Sequence, residues 1–185
     1  MSNQIIKTQR ENIVADNRWV TLYFDDVLFP NGKTGKYNRL VEKGGNGIVI
    51  LPLDDTGQIG LINLYRYPIG SFSWELPRGF GSNTSIENNA AREMLEEMGL
   101  GFTKLIKLGS IHPNSGMLST IADVVLVTGL YEYRQTHSDD CEPIDTVQFY
   151  SIQEITNMIK SGKITDGFTI SAIMLAWVND SVPRL

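Results

Sequence analysis

A single cysteine, Cys141, stands in 185 residues, so no disulfide can form within the chain and a reducing compartment is expected. Beside Asp139, Asp140 and Glu142, that thiol also lacks the electropositive setting a reactive thiolate needs, and it is read as incidental. No apolar stretch is long enough to span a bilayer. The opening Met1-Ser2-Asn3-Gln4 lacks the basic-then-apolar order of a secretory signal, so a cytoplasmic location is expected. Positive charge is in deficit: 16 Lys and Arg against 21 Asp and Glu give a net charge of −5. That balance disfavours a general nucleic-acid binder, and neither nucleic acid nor membrane is expected as a partner. There is no internal repeat, low-complexity tract or charged tail.

What is present is an ordinary globular composition, long enough to bury a core. The first third reads as strands. Residues 19–28 are rich in β-branched and aromatic side chains, Pro30-Asn31-Gly32-Lys33 supplies a turn, and residues 36–41 return. Gly44-Gly45-Asn46-Gly47 breaks the chain, which places a soft boundary between residues 1–45, a small N-terminal β-hairpin unit, and residues 46–185, the main domain. The continuous apolar run 47–53 reads as a buried strand, with 59–65 as its hairpin partner. Strands are also expected at 105–111, 121–127 and 147–150. Between the last two, residues 135–143 are polar and read as a loop. Helices are expected over 85–98, from Ser151 onward behind a Ser-x-x-Glu capping pattern, and over 168–178. In this last helix Ile170, Ile173, Met174 and Trp177 fall at helical spacing and are read as core contacts. Strands mixed with a few helices, without a βαβ rhythm, indicate an α+β fold.

One run carries chemistry. Arg92-Glu93-Met94-Leu95-Glu96-Glu97-Met98-Gly99-Leu100 sets Glu93, Glu96 and Glu97 at i, i+3 and i+4, on neighbouring parts of one helix face. A solvated charged face is the ordinary explanation of such a pattern, and Arg92 can pair with Glu96 one turn on. The alternative is a harbour for a hard divalent cation, which prefers oxygen ligands. The upstream loop Trp74-Glu75-Leu76-Pro77-Arg78-Gly79-Phe80-Gly81 favours that alternative. A rigid Pro followed by permissive Gly lets backbone approach a ligand closely.

Residues 92–100 resemble the second half of the Nudix hydrolase signature. Glu75 to Phe80 resembles the entry to that signature in the ADP-ribose pyrophosphatase-like branch. Tyr65-Arg66-Tyr67-Pro68 and Gly162 to Ile170 are similar to flanking segments of the same branch, so the resemblance spans most of residues 47–178. The front half of the signature departs from the pattern. Counting back from Arg92, Thr84 stands where an acid is usual, and counting forward from Gly79 the loop is one residue short. Thr84 is expected to cap the helix instead, with Glu87 reaching back.

The resemblance implies an α/β/α sandwich with a mixed sheet and a small N-terminal antiparallel sheet. It implies a Mg²⁺- or Mn²⁺-dependent pyrophosphohydrolase that cleaves ADP-ribose or a related nucleotide sugar to a nucleoside monophosphate and a sugar phosphate. Same-fold alternatives are a nucleoside triphosphate hydrolase and a nucleotide-sensing module. By resemblance Glu93 and Glu97 are the principal metal ligands, Glu96 a further one, and the Arg78 carbonyl a backbone ligand. Arg92 orients the acids, Glu97 and Arg92 belong to the catalytic set, and Glu142 is the general base, with His112 and His137 as other possibilities. Arg66, Arg78 and Gly79 contact a nucleotide-type substrate. Trp19, Phe24 and Tyr37 are read as strand-core residues, with base stacking across a dimer as the other reading. A homodimer through the N-terminal sheet is implied.

Overall fold

The computed structural model describes residues 5–81, 84–133 and 143–182. Its N-terminal sheet is antiparallel. β1 (Lys7–Arg10) and β2 (Ile13–Asp16) lie end to end along one edge of β3 (Val20–Leu28), and β4 (Thr34–Glu42) runs along the other. The turn between β3 and β4 holds Gly32 at φ 81°, which meets the Asn-Gly expectation. The expected hairpin is present, but the sheet is larger. β1 and β2 expose every residue, so they carry no buried face and no period-2 signature to read.

β5 (Gly47–Pro52) is central to the main body. It pairs in parallel with β11 (Ala122–Thr128) and antiparallel with β8 (Arg78–Phe80), while β10 (Lys104–Ile111) flanks β11. A second sheet is antiparallel: β6 (Ile59–Arg66) lies between β7 (Ser71–Glu75) and β13 (Ile144–Tyr150). The two sheets meet at a Leu53–Ile59 bridge and at the Ile50 N–H to Pro77 carbonyl bond, 2.9 Å. β9 (Leu100–Gly101) and β12 (Tyr131–Glu132) form a short separate pair.

Alternation along the central strands sets the layers. Val49, Leu51, Val124 and Leu126 pack with Ile155 of α2 (Ile152–Lys160) and Ala172, Ile173 and Ala176 of α3 (Gly167–Val178). Ile48, Ile50, Val125 and Val127 pack on the opposite side with Ala90 of α1 (Ile86–Glu93) and Met94 just beyond it. A strand buried on both faces must be apolar throughout, which is why residues 47–53 read as one unbroken run. The molecule is an α/β/α sandwich with a mixed sheet, as expected. Each fully buried Ile or Leu here contributes about 1.5–3 kcal/mol.

The closing helices meet one expectation and correct another. α2 has the expected capping box, Ser151 with Glu154. α3 buries Thr169, Ala172, Ile173 and Ala176, whereas Ile170, Met174 and Trp177 are exposed. Small Ala side chains bring α3 close to the sheet, so of the expected apolar set only Ile173 is a core contact. Among the described residues no helix is long and apolar enough to cross a membrane.

The N-terminal sheet meets the main body along β4. Leu40 exchanges backbone hydrogen bonds with Met117 and Ser119, at 2.9 and 3.2 Å.

Candidate active site

The acidic run is helical but not one uniform α-helix. α1 ends at Glu93, and Met94–Met98 continue as a π-helical turn closed by Gly99 at φ 69°. Such wide turns accommodate an extra residue and recur at functional sites. Glu93 and Glu97 face inward, 5% and 6% exposed, while Glu96 lies to the side with its side chain 32% exposed. A solvated face does not bury two of its three acids.

The cap of α1 is Ser85, whose Oγ accepts the Asn88 N–H at 3.2 Å. Thr84 is therefore not the cap. Its hydroxyl donates instead to Oδ1 of the buried Asn89, 2.7 Å. With the cap shifted by one, Glu87 no longer sits at the third helical position and the expected capping box does not form; Asn88 takes that place.

Arg92 ties the acids together. Its guanidinium donates to Glu93, to Glu96 Oε2 at 2.7 Å and to the Phe80 carbonyl at 3.0 Å. Burial works against the charge, but Glu93 and Glu96 hold the Arg92 pKa above its ordinary value. Glu97 Oε2 accepts the Arg78 backbone N–H at 3.0 Å. Gly79 lies against Glu93 so closely that a Cβ there would overlap the carboxylate, which only glycine avoids.

Behind the loop stands a second acid that sequence reasoning left unassigned. Glu75 is 2% exposed. Its Oε2 accepts from Arg66 Nε and Nη2, at 3.1 and 2.8 Å, and from Arg78 Nε at 3.1 Å. Burial raises its pKa, but the Arg66 bond and the two guanidinium charges outweigh it and hold the carboxyl below the ordinary range. The Arg78 guanidinium also lies 4.4 Å over the Phe168 ring and 3.9 Å from Asp166.

A cavity of about 450 Å³ opens above these groups. Arg78, Gly79, Arg92, Glu93, Glu96 and Glu97 all line it. So do Arg18, Trp19 and Lys43 from the N-terminal sheet and its exit, together with Phe80. Trp19 is 61% exposed with the Arg18 guanidinium 4.4 Å over its ring, and Phe24 and Tyr37 are each 41% exposed, so none of the three is a strand-core residue. On β3, Phe24 alternates with the buried Asp25 and so points to the other face. Arg66 is held on Glu75, away from the described lining, and His112 is exposed and likewise outside it. Glu142 and His137 lie outside the described residues.

Among the described residues, no three His, Cys, Asp or Glu side chains converge as a finished metal centre. The residues nonetheless fit a hard divalent cation in two respects. The donors are carboxylate oxygens on one rigid turn, and the missing side chain at Gly79 makes the room that the Glu93 carboxylate occupies.

No family model matches the chain. Similarity to individual proteins is extensive. The chain is 25% identical over 177 residues to the ADP-ribose pyrophosphatase of Bacillus subtilis (strain 168), covering 95% of each. It is 29% identical over 152 residues to the ADP-ribose pyrophosphatase of Mycobacterium tuberculosis (strain ATCC 25618 / H37Rv), covering 81% of this chain and 72% of the relative. The crystal structure of an ADP compounds hydrolase superposes with a TM-score of 0.85 at 22% identity, over 98% of each chain. These similarities support the resemblance to the ADP-ribose pyrophosphatase-like branch of the Nudix hydrolases. The run that resembles the Nudix signature, residues 92–100, spans the end of α1, the π-helical turn, its Gly99 cap and the first residue of β9. The shortened front of the Nudix signature falls where Gly81 bonds the Asn46 carbonyl at 2.8 Å, so the loop leans on the strap leaving the N-terminal sheet.

Proposed function

We propose that the chain is a divalent-metal-dependent pyrophosphohydrolase that cleaves the diphosphate of ADP-ribose or a related nucleotide sugar into a nucleoside monophosphate and a sugar phosphate. The observation that carries this reading is the cavity. The three carboxylates of the acidic run line it together with the cationic Arg18, Lys43, Arg78 and Arg92 and the aromatic Trp19 and Phe80. The likeness to two ADP-ribose pyrophosphatases supports the choice of substrate class.

Each group has a role in this reading. Glu93 and Glu97 are the principal ligands of Mg²⁺ or Mn²⁺, with Glu96 as a further ligand and the Arg78 carbonyl as a backbone donor. When bound, the ions neutralise diphosphate oxygens and lower the pKa of a coordinated water. Arg92 holds the carboxylates in register by charge-assisted hydrogen bonds. Gly79 keeps the space beside Glu93 clear. Arg18 and Lys43 offset phosphate charge, and the face of Trp19 suits a nucleobase. Glu142, in the polar segment before β13, is the proposed general base. Arg66 acts by holding Glu75, and through it the Arg78 side chain. The proposed setting is a cytoplasmic homodimer joined through the N-terminal sheet, with residues 1–45 and 46–185 as its two structural units.

The test is incubation of the purified protein with Mg²⁺ or Mn²⁺ and a panel of ADP-ribose, nucleotide sugars, dinucleoside polyphosphates and nucleoside triphosphates, with products resolved. AMP and ribose 5-phosphate from ADP-ribose are the expected products. Release of phosphate or pyrophosphate from triphosphates alone would overturn the substrate assignment.

A further inference from the structure

The segment Gly162 to Ile170 is prominent in the sequence, yet none of it lines the cavity. Its place in the fold gives it a task. The chain leaves one sheet at Glu75, the end of β7, and enters the other at Arg78, the start of β8. Across Leu76 and Pro77 the strand ladder lapses, and buried backbone donors there need other partners. Pro77 has no N–H. The Leu76 N–H is taken by Thr169 Oγ1 at 2.9 Å, and the Arg78 N–H by Glu97 Oε2 at 3.0 Å. Two side chains therefore fix the crossing, one from α3 and one from the acidic turn.

Thr169 is fully buried, and its hydroxyl proton goes to Asp166 Oδ2 at 2.8 Å. That bond turns the oxygen's lone pairs toward Leu76. Asp166 also caps α3 through the Thr169 N–H, 2.8 Å, and stands 3.9 Å from Arg78 Nη2. Phe168 lies beneath the Arg78 guanidinium at 4.4 Å. The first turn of α3 thus grips Arg78 from two sides, by the backbone through Leu76 and by the side chain.

We infer that Asp166 and Thr169 are positioning residues for the carboxylate of Glu97, acting through the backbone of residues 76–78. The inference rests on the proposed role of Glu97 as a metal ligand. Partners behind metal ligands commonly change affinity or activity by about 10- to 100-fold when removed.

Thr169→Val keeps the shape and removes the hydroxyl; Thr169→Ser keeps the hydroxyl. Two readouts separate the inference from the metal assignment. The first is amide hydrogen exchange at Leu76 and Arg78 in the metal-free protein. Exchange at both is expected to accelerate in Thr169→Val and to return toward wild type in Thr169→Ser. The second is Mn²⁺ binding by titration calorimetry, expected to weaken about tenfold or more in Thr169→Val and to recover in Thr169→Ser. KM for substrate at saturating Mn²⁺ is expected to stay within about twofold while kcat falls. If Thr169→Val does not fold, Asp166→Asn serves in its place. An amide retains helix-capping ability while loosening Arg78, so the same changes are expected at smaller amplitude. A folded variant with wild-type protection at Arg78 and wild-type Mn²⁺ affinity would overturn the inference. Faster exchange at Arg78 with no Mn²⁺ binding by the wild-type protein would sustain the coupling and sink the metal role of Glu97.

Discussion

At the scale of the residue, Gly79 decides most about the site. A methyl group there meets the far end of the Glu93 side chain, which can swing aside, rather than rigid backbone. Gly79→Ala is therefore expected to leave the fold intact and to displace the carboxylate. The expected outcome is a thermal midpoint within a few degrees of wild type and turnover lowered by about 100-fold or more. A melting curve and a rate measurement on the same sample check both halves. Glu75 makes a prediction about pH. Its folded-state pKa is depressed, so its contribution is fully present above the unfolded value of about 4.3 and is lost as pH falls through the lower folded value. Urea denaturation from pH 6 down to pH 3 is expected to show that loss, and Glu75→Gln to flatten it.

At the scale of the element, the sequence was legible where one face or both faces of an element are buried. β5 announced itself as an apolar run, and the Ser151–Glu154 box marked the start of α2. The acidic run could be recognised as a helix with an apolar side from Met94 and Met98, whereas the inward turn of Glu93 and Glu97 is visible only in the structure. Three features were not legible. β1 and β2 have no buried side, so nothing in their pattern distinguishes them from loop. The start of α1 depends on which of two adjacent hydroxyl residues turns inward, and Asn89 draws Thr84 away from the cap. The change to a π-helical turn leaves no mark in residue spacing, because the same apolar positions serve both geometries. Ser85→Ala is expected to cost about 1 kcal/mol of stability in urea denaturation, as loss of a helix cap does.

At the scale of the whole molecule, the site is assembled across the chain. The acidic turn and the Pro77–Gly79 loop come from the main body, and Arg18, Trp19 and Lys43 come from the N-terminal sheet and its exit. That convergence was not legible, since an exposed Trp at the start of a strand looks the same as a buried one until its side is known. The outward aromatics of this sheet, with Ile13 and Val14 each over 60% exposed, are apolar surface that a dimer would cover. Light scattering is expected to return twice the 20.7 kDa chain mass, and a monomeric mass would remove the proposed assembly.

The most direct test of the metal-dependent hydrolysis is turnover of ADP-ribose with Mg²⁺ or Mn²⁺ by the wild-type protein and by Glu97→Gln. The amide oxygen still accepts the Arg78 N–H, so the variant keeps the loop while losing the charge that binds a cation. Wild-type protein is expected to release AMP and ribose 5-phosphate, and the folded variant to be slower by orders of magnitude. Equal rates in the two proteins would contradict the assignment of the acidic turn as the metal site.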